Sequence, residues 1–129
     1  MQFTLQLPML GFESVTHMEL KKIDDIFMRL ESVDDGPSFT LINPYALREY
    51  SFDIPTSIQA ALQITDTTNV LIFNIVILSS TIEDSTINFV APLIFNTDNQ
   101  SMAQIIIDSR PDFAIAESIR NYLKGDANE

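Results

Sequence analysis

The sequence has no cysteine and no tryptophan, only three glycines, and one histidine, His17. Without cysteine the chain has no disulfide framework, thiol nucleophile or thiolate metal site. Gly11, Gly36 and Gly125 are too few and too far apart to build a glycine-rich phosphate cradle. A single histidine cannot form a multi-histidine metal site, and the sequence gives it no evident acid or base partner. We therefore expect no catalytic residue, metal or cofactor, and interpret the chain as a non-enzyme.

Pairs of acidic residues are the remaining candidates for metal binding or acid–base chemistry. They occur at positions 24–25, 34–35 and 83–84. None matches a calcium loop, which needs oxygen ligands at alternating positions followed by a distal glutamate. We interpret the pairs as solvated turns, with metal binding as the alternative. An enzyme built on a carboxylate pair stays open, but the spacing selects no pair.

Basic residues are also scarce: seven Lys and Arg stand against eighteen Asp and Glu, for a net charge of -11. Such a surface repels phosphate and anionic lipid, so we expect no direct nucleic-acid or membrane binding. It favours a basic partner, although acidity also simply keeps a protein in solution. The longest apolar run, 70–78, is too short for a membrane helix, and no Lys or Arg precedes Lys21. We expect a cytoplasmic protein.

The length and patterning predict one domain over residues 1–129, with 125–129 as a tail. Strand patterns dominate the chain, because apolar residues alternate with polar ones or form short β-branched runs. The predicted strands are 2–7, 17–23, 26–33, 39–43, 70–78, 86–96 and 103–107. An Asp-Asp-Gly-Pro turn at 34–37 and a hairpin loop at 79–85 would join neighbouring strands.

The two strongest strands each have one wholly apolar face and one face that carries amides. In 70–78 the odd positions are all apolar, and Asn74 lies on the other face. In 86–96 the odd positions are again apolar, opposite Asn88, Pro92 and Asn96. A barrel or curled sheet explains both: the apolar face points inward, and the mixed face is covered or forms a contact surface. Pro92 should lie at an edge or bulge.

Helical signals are short. Asn43 is placed to cap a single turn over 44–48 that begins with proline. Thr56 or Ser57 would cap a short helix ending at Leu62. Apolar residues at helical spacing predict an amphipathic helix over 112–124. The predicted fold is therefore mainly β: a small single-domain β-barrel-like fold of antiparallel strands, with short helical turns and a C-terminal amphipathic helix.

Several short blocks, in the expected order, resemble the flagellar assembly factor FliW family. The blocks are Leu10 to Glu13 (LGFE), Ser32 to Asp35 (SVDD), Phe39 to Pro44 (FTLINP), Tyr50 to Pro55 (YSFDIP), Asn74 to Val76 (NIV), Asn88 to Asn96 (NFVAPLIFN) and Gln104 to Ile106 (QII). The likeness covers most of residues 3–113. The stretch 7–9 departs from the pattern, as does the chain after Pro111.

The resemblance implies a monomeric cytoplasmic barrel that binds two exclusive partners. One is flagellin, and the other is CsrA, a small RNA-binding protein that represses flagellin translation. Accumulated flagellin would occupy the family member and leave CsrA free to repress, whereas export of flagellin would release it to sequester CsrA. A first alternative is a flagellin chaperone without CsrA antagonism. A second is a small-ligand-binding barrel whose cavity uses Asn74 and Asn88.

The sequence suggests two groups of partner-binding residues, because interface anchors are commonly aromatic side chains with a polar rim. The first group is Asn43, Pro44, Tyr45, Arg48, Tyr50 and Asp53. The second group is Asn74, Asn88 and Asn96, on the mixed strand faces. A structural interpretation stands beside this one: Asn43 caps a turn, Asp53 caps the bend at Pro55, and the strand amides satisfy nearby backbone groups.

Overall fold

The computed structural model describes residues 1–9, 11–107 and 113–122. Strands account for most of the regular structure within these residues, as predicted. The strands are β1 (Gln2–Leu5), β2 (His17–Lys22), β3 (Phe27–Ser32), β4 (Ser38–Ile42), β5 (Val70–Ile77), β6 (Thr86–Ile87), β7 (Leu93–Asn96), β8 (Ser101–Gln104) and β9 (Glu117–Ser118). Helix α1 spans Thr56–Leu62, and 3₁₀ turns span Pro44–Ala46, Ile82–Asp84 and Ile119–Tyr122.

Seven of the strands close into a barrel, which confirms the predicted fold class. Neighbours follow the order β4-β3-β2-β1-β8-β7-β5, and β5 pairs back with β4, where Ile42 lies opposite Asn74. These neighbours are antiparallel except β1 and β8, which run parallel with Thr4 opposite Ser101. A ring with an odd number of strands cannot alternate direction throughout. One parallel pair is therefore the geometric condition for closure, and it is the exception to the predicted antiparallel arrangement.

The barrel interior is filled by side chains. Because residues alternate between the two faces of a strand, every second residue of the seven strands points inward. The buried interior residues are apolar: Phe3, Met9, Met18, Leu20, Leu30, Leu41, Phe73, Leu93, Phe95 and Met102. A barrel packed in this way is a hydrophobic core.

Two further apolar clusters cover outer faces of the barrel. Ile58 and Leu62 of α1 pack against Ile94 and Ala103 on the outside of β7 and β8. The second cluster joins residues of 42–52 and 113–122 to the outer face of β5 and to β6. The mixed strand faces are therefore covered, one of the two arrangements the sequence predicts for them.

The apolar face of β5 does not point inward over its whole length. Phe73 is buried and Ile75 is half-buried against the interior cluster. Leu71 and Ile77, near the two ends of this eight-residue strand, remain 41% and 62% exposed. The sequence prediction of a uniformly buried face is wrong at these positions, because the strand is longer than the core that it crosses.

The predicted strand 86–96 is split into β6 and β7. The side-chain Oδ1 of Asn88 accepts hydrogen bonds from the backbone amides of Val90 and Ala91, at 3.0 and 3.2 Å. These amides consequently do not join a strand ladder, and the chain bends before β7. Pro92 lies in this break, as expected for a residue without an amide donor. The continuous strand was a wrong prediction, whereas the irregularity at Pro92 is confirmed.

Several boundaries differ from those predicted. β1 ends at Leu5, and β8 covers Ser101–Gln104 instead of 103–107. Helix α1 is confirmed, but its N-cap is Pro55, and no side chain caps it. The expected cap at Thr56 or Ser57 is wrong because both residues already lie inside the first helical turn. The 79–85 connection is a hairpin between antiparallel β5 and β6, as predicted.

The C-terminal helix is the largest departure. The predicted range was 112–124, of which positions 112, 123 and 124 lie outside the described residues, as does the predicted tail 125–129. Within 113–122 the chain forms β9, which pairs with β6, followed by the 3₁₀ turn Ile119–Tyr122. Phe113 and Ile119 are buried in the second outer cluster. Pairing with β6 and this burial override the helical periodicity, so the helix prediction is wrong for these residues.

Candidate partner-binding site

The turn after β4 presents one exposed tyrosine. Asn43 caps the 3₁₀ turn Pro44–Ala46, since its Oδ1 accepts a hydrogen bond from the backbone amide of Tyr45 at 3.0 Å. Pro44 occupies the start of the turn, where the lack of an amide donor costs nothing. Tyr45 keeps 54% of its surface exposed, and burial of the remainder raises the pKa of its phenol. The predicted cap at Asn43 is confirmed.

Tyr50, on the same segment, is buried in a hydrogen-bond network. Its hydroxyl donates to the backbone carbonyl of Phe89 at 2.6 Å and accepts from Asn74 Nδ2 at 3.1 Å. The same Nδ2 donates to the backbone carbonyl of Asn88 at 2.9 Å. Burial raises the pKa of Tyr50 to about 12, from an ordinary value of 10.0. The phenol is therefore neutral at physiological pH and links the 43–53 segment to β5 and to the break after β6.

Six aromatic side chains form a group that we call the aromatic cluster. Its members are Tyr45, Tyr50, Phe52, Phe89, Phe113 and Tyr122. The ring centroids of Tyr50 and Phe113 lie 4.8 Å apart, and those of Tyr50 and Phe89 lie 5.4 Å apart. Tyr45 meets Tyr50 edge-on at 6.1 Å. The exposed ring of Tyr45 thus packs, through Tyr50, against the buried part of the aromatic cluster.

Arg48 links the 113–122 segment to this cluster through cation–π contacts and an ion pair. Its guanidinium carbon lies 5.1 Å from the ring centroid of Phe113 and 5.5 Å from that of Phe89, within cation–π distance. Its Nη1 is 3.9 Å from Glu117 Oε1. Glu117 also accepts a hydrogen bond from the hydroxyl of Tyr122. Burial, and secondarily this carboxylate, raise the pKa of Tyr122. Arg48 is accordingly half-buried between two rings and a carboxylate.

Asn96 belongs to a different part of the molecule. Its Nδ2 donates to the backbone carbonyl of Leu62 at 2.7 Å, and its Oδ1 accepts from the amides of Asp98 and Asn99. The first bond joins the end of β7 to the C-terminus of α1, and the other two stabilise the turn that follows β7. The structure therefore brings Asn74 and Asn88 to Tyr50, whereas Asn96 lies apart from them. The amides of all three satisfy backbone groups, as the structural interpretation of the sequence proposed.

The nine predicted binding residues separate into accessible and buried members. Those with accessible surface are Asn43, Tyr45, Arg48, Asp53 and Asn88. The buried ones are Pro44, Tyr50, Asn74 and Asn96. In this conformation a buried side chain can contribute to binding only by positioning its exposed neighbours. Direct contact through the accessible members stays a prediction.

Sequence reasoning missed two contributions to the site. The 113–122 segment supplies Phe113, Glu117 and Tyr122 from far along the chain, and no local pattern indicates where it packs. The β2–β3 turn is the other, because the carbonyl of Ile26 accepts a hydrogen bond from the amide of Asn43 at 2.8 Å. Apolar residues on both sides of the acidic pair 24–25 were the available signal for that turn.

A cavity of about 470 Å³ lies elsewhere, at one end of β1 and β2. It is lined by Gln2, Phe3, Thr4, His17, Asn99 and Gln100. Neither Asn74 nor Asn88 lines it, so the ligand-binding alternative is not supported in the form the sequence suggested. No group of three His, Asp or Glu residues that could hold a metal occurs within 1–9, 11–107 and 113–122. Over the same residues, no helix is long and apolar enough to cross a membrane.

The fold and the site together define the class of protein: a small closed β-barrel with a filled interior, whose candidate site is a supported aromatic surface. Comparison with a crystal structure of a flagellar assembly factor FliW supports this fold. That structure superimposes with a TM-score of 0.83, covering 91% of this chain and 84% of the other, at 23% sequence identity. At that identity the likeness concerns the fold.

Sequence comparison identifies the family. The FliW protein family matches residues 1–119. The flagellar assembly factor FliW of Sulfurimonas denitrificans is 50% identical over 125 residues, covering 96% of this chain and 99% of that protein. Flagellar assembly factor FliW 2 of Wolinella succinogenes is 45% identical over 130 residues, covering 98% and 96%. The chain belongs to the FliW family of flagellar assembly factors, as the sequence blocks predicted.

Proposed function

We propose that this flagellar assembly factor works by binding proteins in the cytoplasm and has no enzymatic activity. Its partners are flagellin and the translational repressor CsrA, and the two bind exclusively. When flagellin accumulates it occupies the protein, and CsrA represses flagellin translation. When flagellin is exported, the freed protein sequesters CsrA and translation resumes. The chain thereby couples flagellin synthesis to export, as a monomer that binds neither nucleic acid nor membrane directly.

The observation that carries this proposal is the exposed ring of Tyr45 on a buried aromatic support. An aromatic side chain whose rotamer is already fixed loses little conformational entropy when a partner covers it. Tyrosine is also enriched among residues that dominate binding energy. In the proposed interface Tyr45 is the anchor, Asn43 and Asp53 supply the polar rim, and Tyr50 and Asn74 keep the turn in place.

Charge supports the choice of partners. The chain carries a net charge of -11, which attracts a basic RNA-binding protein and accelerates its encounter. Bound to CsrA, the same negative charge lies close to the phosphates of any RNA on the repressor. It therefore weakens RNA binding without occupying the RNA surface, through a coupling between two sites. Raising the salt concentration should reduce this effect, and an effect independent of salt would contradict its electrostatic origin.

Calorimetric titration tests the proposal. The purified chain is titrated with CsrA from the same organism, first alone and then after saturation with flagellin. CsrA binding that flagellin abolishes is the expected result. Flagellin binding without CsrA binding would leave the chaperone alternative. A chain that binds neither protein would contradict the proposed function.

A further inference from the structure

Two adjoining turns leave three apolar side chains exposed at one end of the β2–β3 hairpin. Ile23 and Ile26 lie in the β2–β3 turn and are 50% and 39% exposed, and Tyr45, after β4, is 54% exposed. The turns are joined directly, because the amide of Asn43 donates to the carbonyl of Ile26 at 2.8 Å. β3 and β4 are also in register here, with Phe27 opposite Ile42.

The β2–β3 turn is as well supported as the one that carries Tyr45. Asp24 Oδ1 accepts hydrogen bonds from the amides of Ile26 and Phe27, both at 2.8 Å. The Phe27 carbonyl accepts from the amides of Ile23 and Asp24, at 3.1 and 3.2 Å. The amides of Phe27 and Ile26, which donate to the Asp24 carboxylate, stabilise its charged form and lower its pKa. A surface with fixed turns and exposed apolar side chains is preorganised for binding.

The charge beside these side chains indicates the chemistry of a partner. Asp24 and Asp25 lie between the two isoleucines, and the side chain of Asp25 is 96% exposed. Lys22 lies 3.3 Å from Asp25, but both groups are solvated, and such a pair is weak. An apolar centre with an acidic rim, on a chain of net charge -11, is complementary to an apolar surface flanked by cations.

We propose that Ile23, Ile26 and Tyr45 form one docking surface for an amphipathic basic segment of a protein partner. The apolar side of that segment covers the three side chains, and its Lys or Arg residues face Asp24 and Asp25. This inference rests on the proposed function, and between the two partners it assigns the surface to the basic one, CsrA. It enlarges the predicted site from the 43–53 segment to the neighbouring hairpin turn.

Two sets of variants test the surface by calorimetric titration with CsrA and, separately, with flagellin from the same organism. The first is Ile26→Ser combined with Tyr45→Ser. Its matched control is Val33→Ser, which is 44% exposed at the opposite end of the same hairpin. The second is Asp25→Lys, with Asp66→Lys in the exposed 65–68 turn as the control for charge. Thermal unfolding of each variant checks that the barrel is intact.

The double variant should weaken CsrA binding by about tenfold or more, as expected for loss of an anchor residue, while Val33→Ser leaves it unchanged. Asp25→Lys should weaken binding by about threefold at low salt, with a smaller difference at high salt. If the folded double variant binds neither CsrA nor flagellin, the result also supports the surface. It would then mean that both partners compete directly for it. Unchanged CsrA affinity, or loss of flagellin alone, would overturn the inference. If the unaltered chain binds neither protein, the proposed function itself fails and the inference falls with it.

Discussion

The hydroxyl of Tyr50 donates a 2.6 Å hydrogen bond to the backbone carbonyl of Phe89, a residue 39 positions further along the chain. Both residues are buried. The bond connects the turn that presents Tyr45 to the break between β6 and β7. The accessible surface of the candidate site therefore depends on a polar contact in the interior.

Removing this hydroxyl with Tyr50→Phe should lower the free energy of unfolding by about 1–3 kcal/mol, because a buried carbonyl loses its donor. Urea unfolding monitored by circular dichroism measures the change. Tyr45→Phe is the matched control, since it removes a hydroxyl from a half-exposed ring and should alter stability by less than about 0.5 kcal/mol. Equal stability of the two variants would contradict the structural role of the Tyr50 hydroxyl.

Stability should also fall at high pH through the same residue. The pKa of Tyr50 in the folded protein is about 12, above the ordinary value of 10.0, so the folded state holds the phenolic proton more tightly than the unfolded state. The resulting stabilisation is complete below pH 10 and is lost as the pH rises from about 10 to about 12. For a difference of this size it amounts to roughly 2–3 kcal/mol.

Unfolding measured between pH 9 and pH 11.5 tests this dependence by comparison with Tyr50→Phe, which cannot ionise. The stability difference between the two proteins should shrink as the pH rises. A constant difference would mean that the phenol ionises equally readily in both states.

Asn88 should be necessary for the break between β6 and β7. In Asn88→Ala the amides of Val90 and Ala91 lose their acceptor, and we expect a destabilisation of about 1–3 kcal/mol. Asn88→Asp keeps an acceptor oxygen in the same place and should retain most of the stability. Thermal unfolding of both variants decides the point: an alanine variant as stable as the aspartate variant would argue against these two hydrogen bonds.

Arg48→Gln should loosen the 113–122 segment without unfolding the barrel. It removes the cation above Phe113 and Phe89 and the ion pair with Glu117. Because β9 has only two residues in register with β6, local opening should become easier. Hydrogen exchange of the Glu117–Tyr122 amides should accelerate about tenfold, while exchange in the barrel strands stays the same.

Arg29→Gln is the control for this exchange experiment, since Arg29 is exposed on β3, where it pairs with Glu31 at 3.9 Å and donates a long hydrogen bond to Ser38 at 3.4 Å, far from the 113–122 segment. It should leave exchange in 113–122 unaltered. Faster exchange throughout the barrel after Arg48→Gln would mean that Arg48 supports the whole fold and does not merely fasten this segment.

Local patterns predicted the strands and the barrel, because alternation along 70–78 and 86–96 is a property of the residues themselves. The cap at Asn43 was predictable for the same reason. An asparagine directly before a proline can accept, through its side-chain oxygen, the hydrogen bond of the next free backbone amide, here that of Tyr45. Local patterns could not predict which of two competing acceptors a backbone amide bonds to, a strand neighbour or a side chain. Asn88 lies within an unbroken strand pattern, and only the structure reveals that its side chain takes two amides from the ladder.

The 113–122 segment shows the second limit of sequence reasoning. Its apolar residues recur at helical spacing, yet Glu117 and Ser118 pair with β6, and Phe113 and Ile119 enter an outer cluster. The groove that receives them is built by residues from distant parts of the sequence. The burial of one candidate-site residue has the same origin, since Tyr50 packs against Phe89 and Phe113 from distant parts of the chain, whereas Tyr45 stays exposed.

The parallel pairing of β1 with β8 has a consequence for synthesis. β1 is synthesised before the other described strands, but one of its two neighbours, Ser101–Gln104, is synthesised only after β2 to β7. The barrel cannot close on a nascent chain that lacks these residues, and until then Phe3 and the inward side chains of β2 have no complete enclosure. A chain that stops before Ser101 therefore has an open sheet in place of the closed barrel.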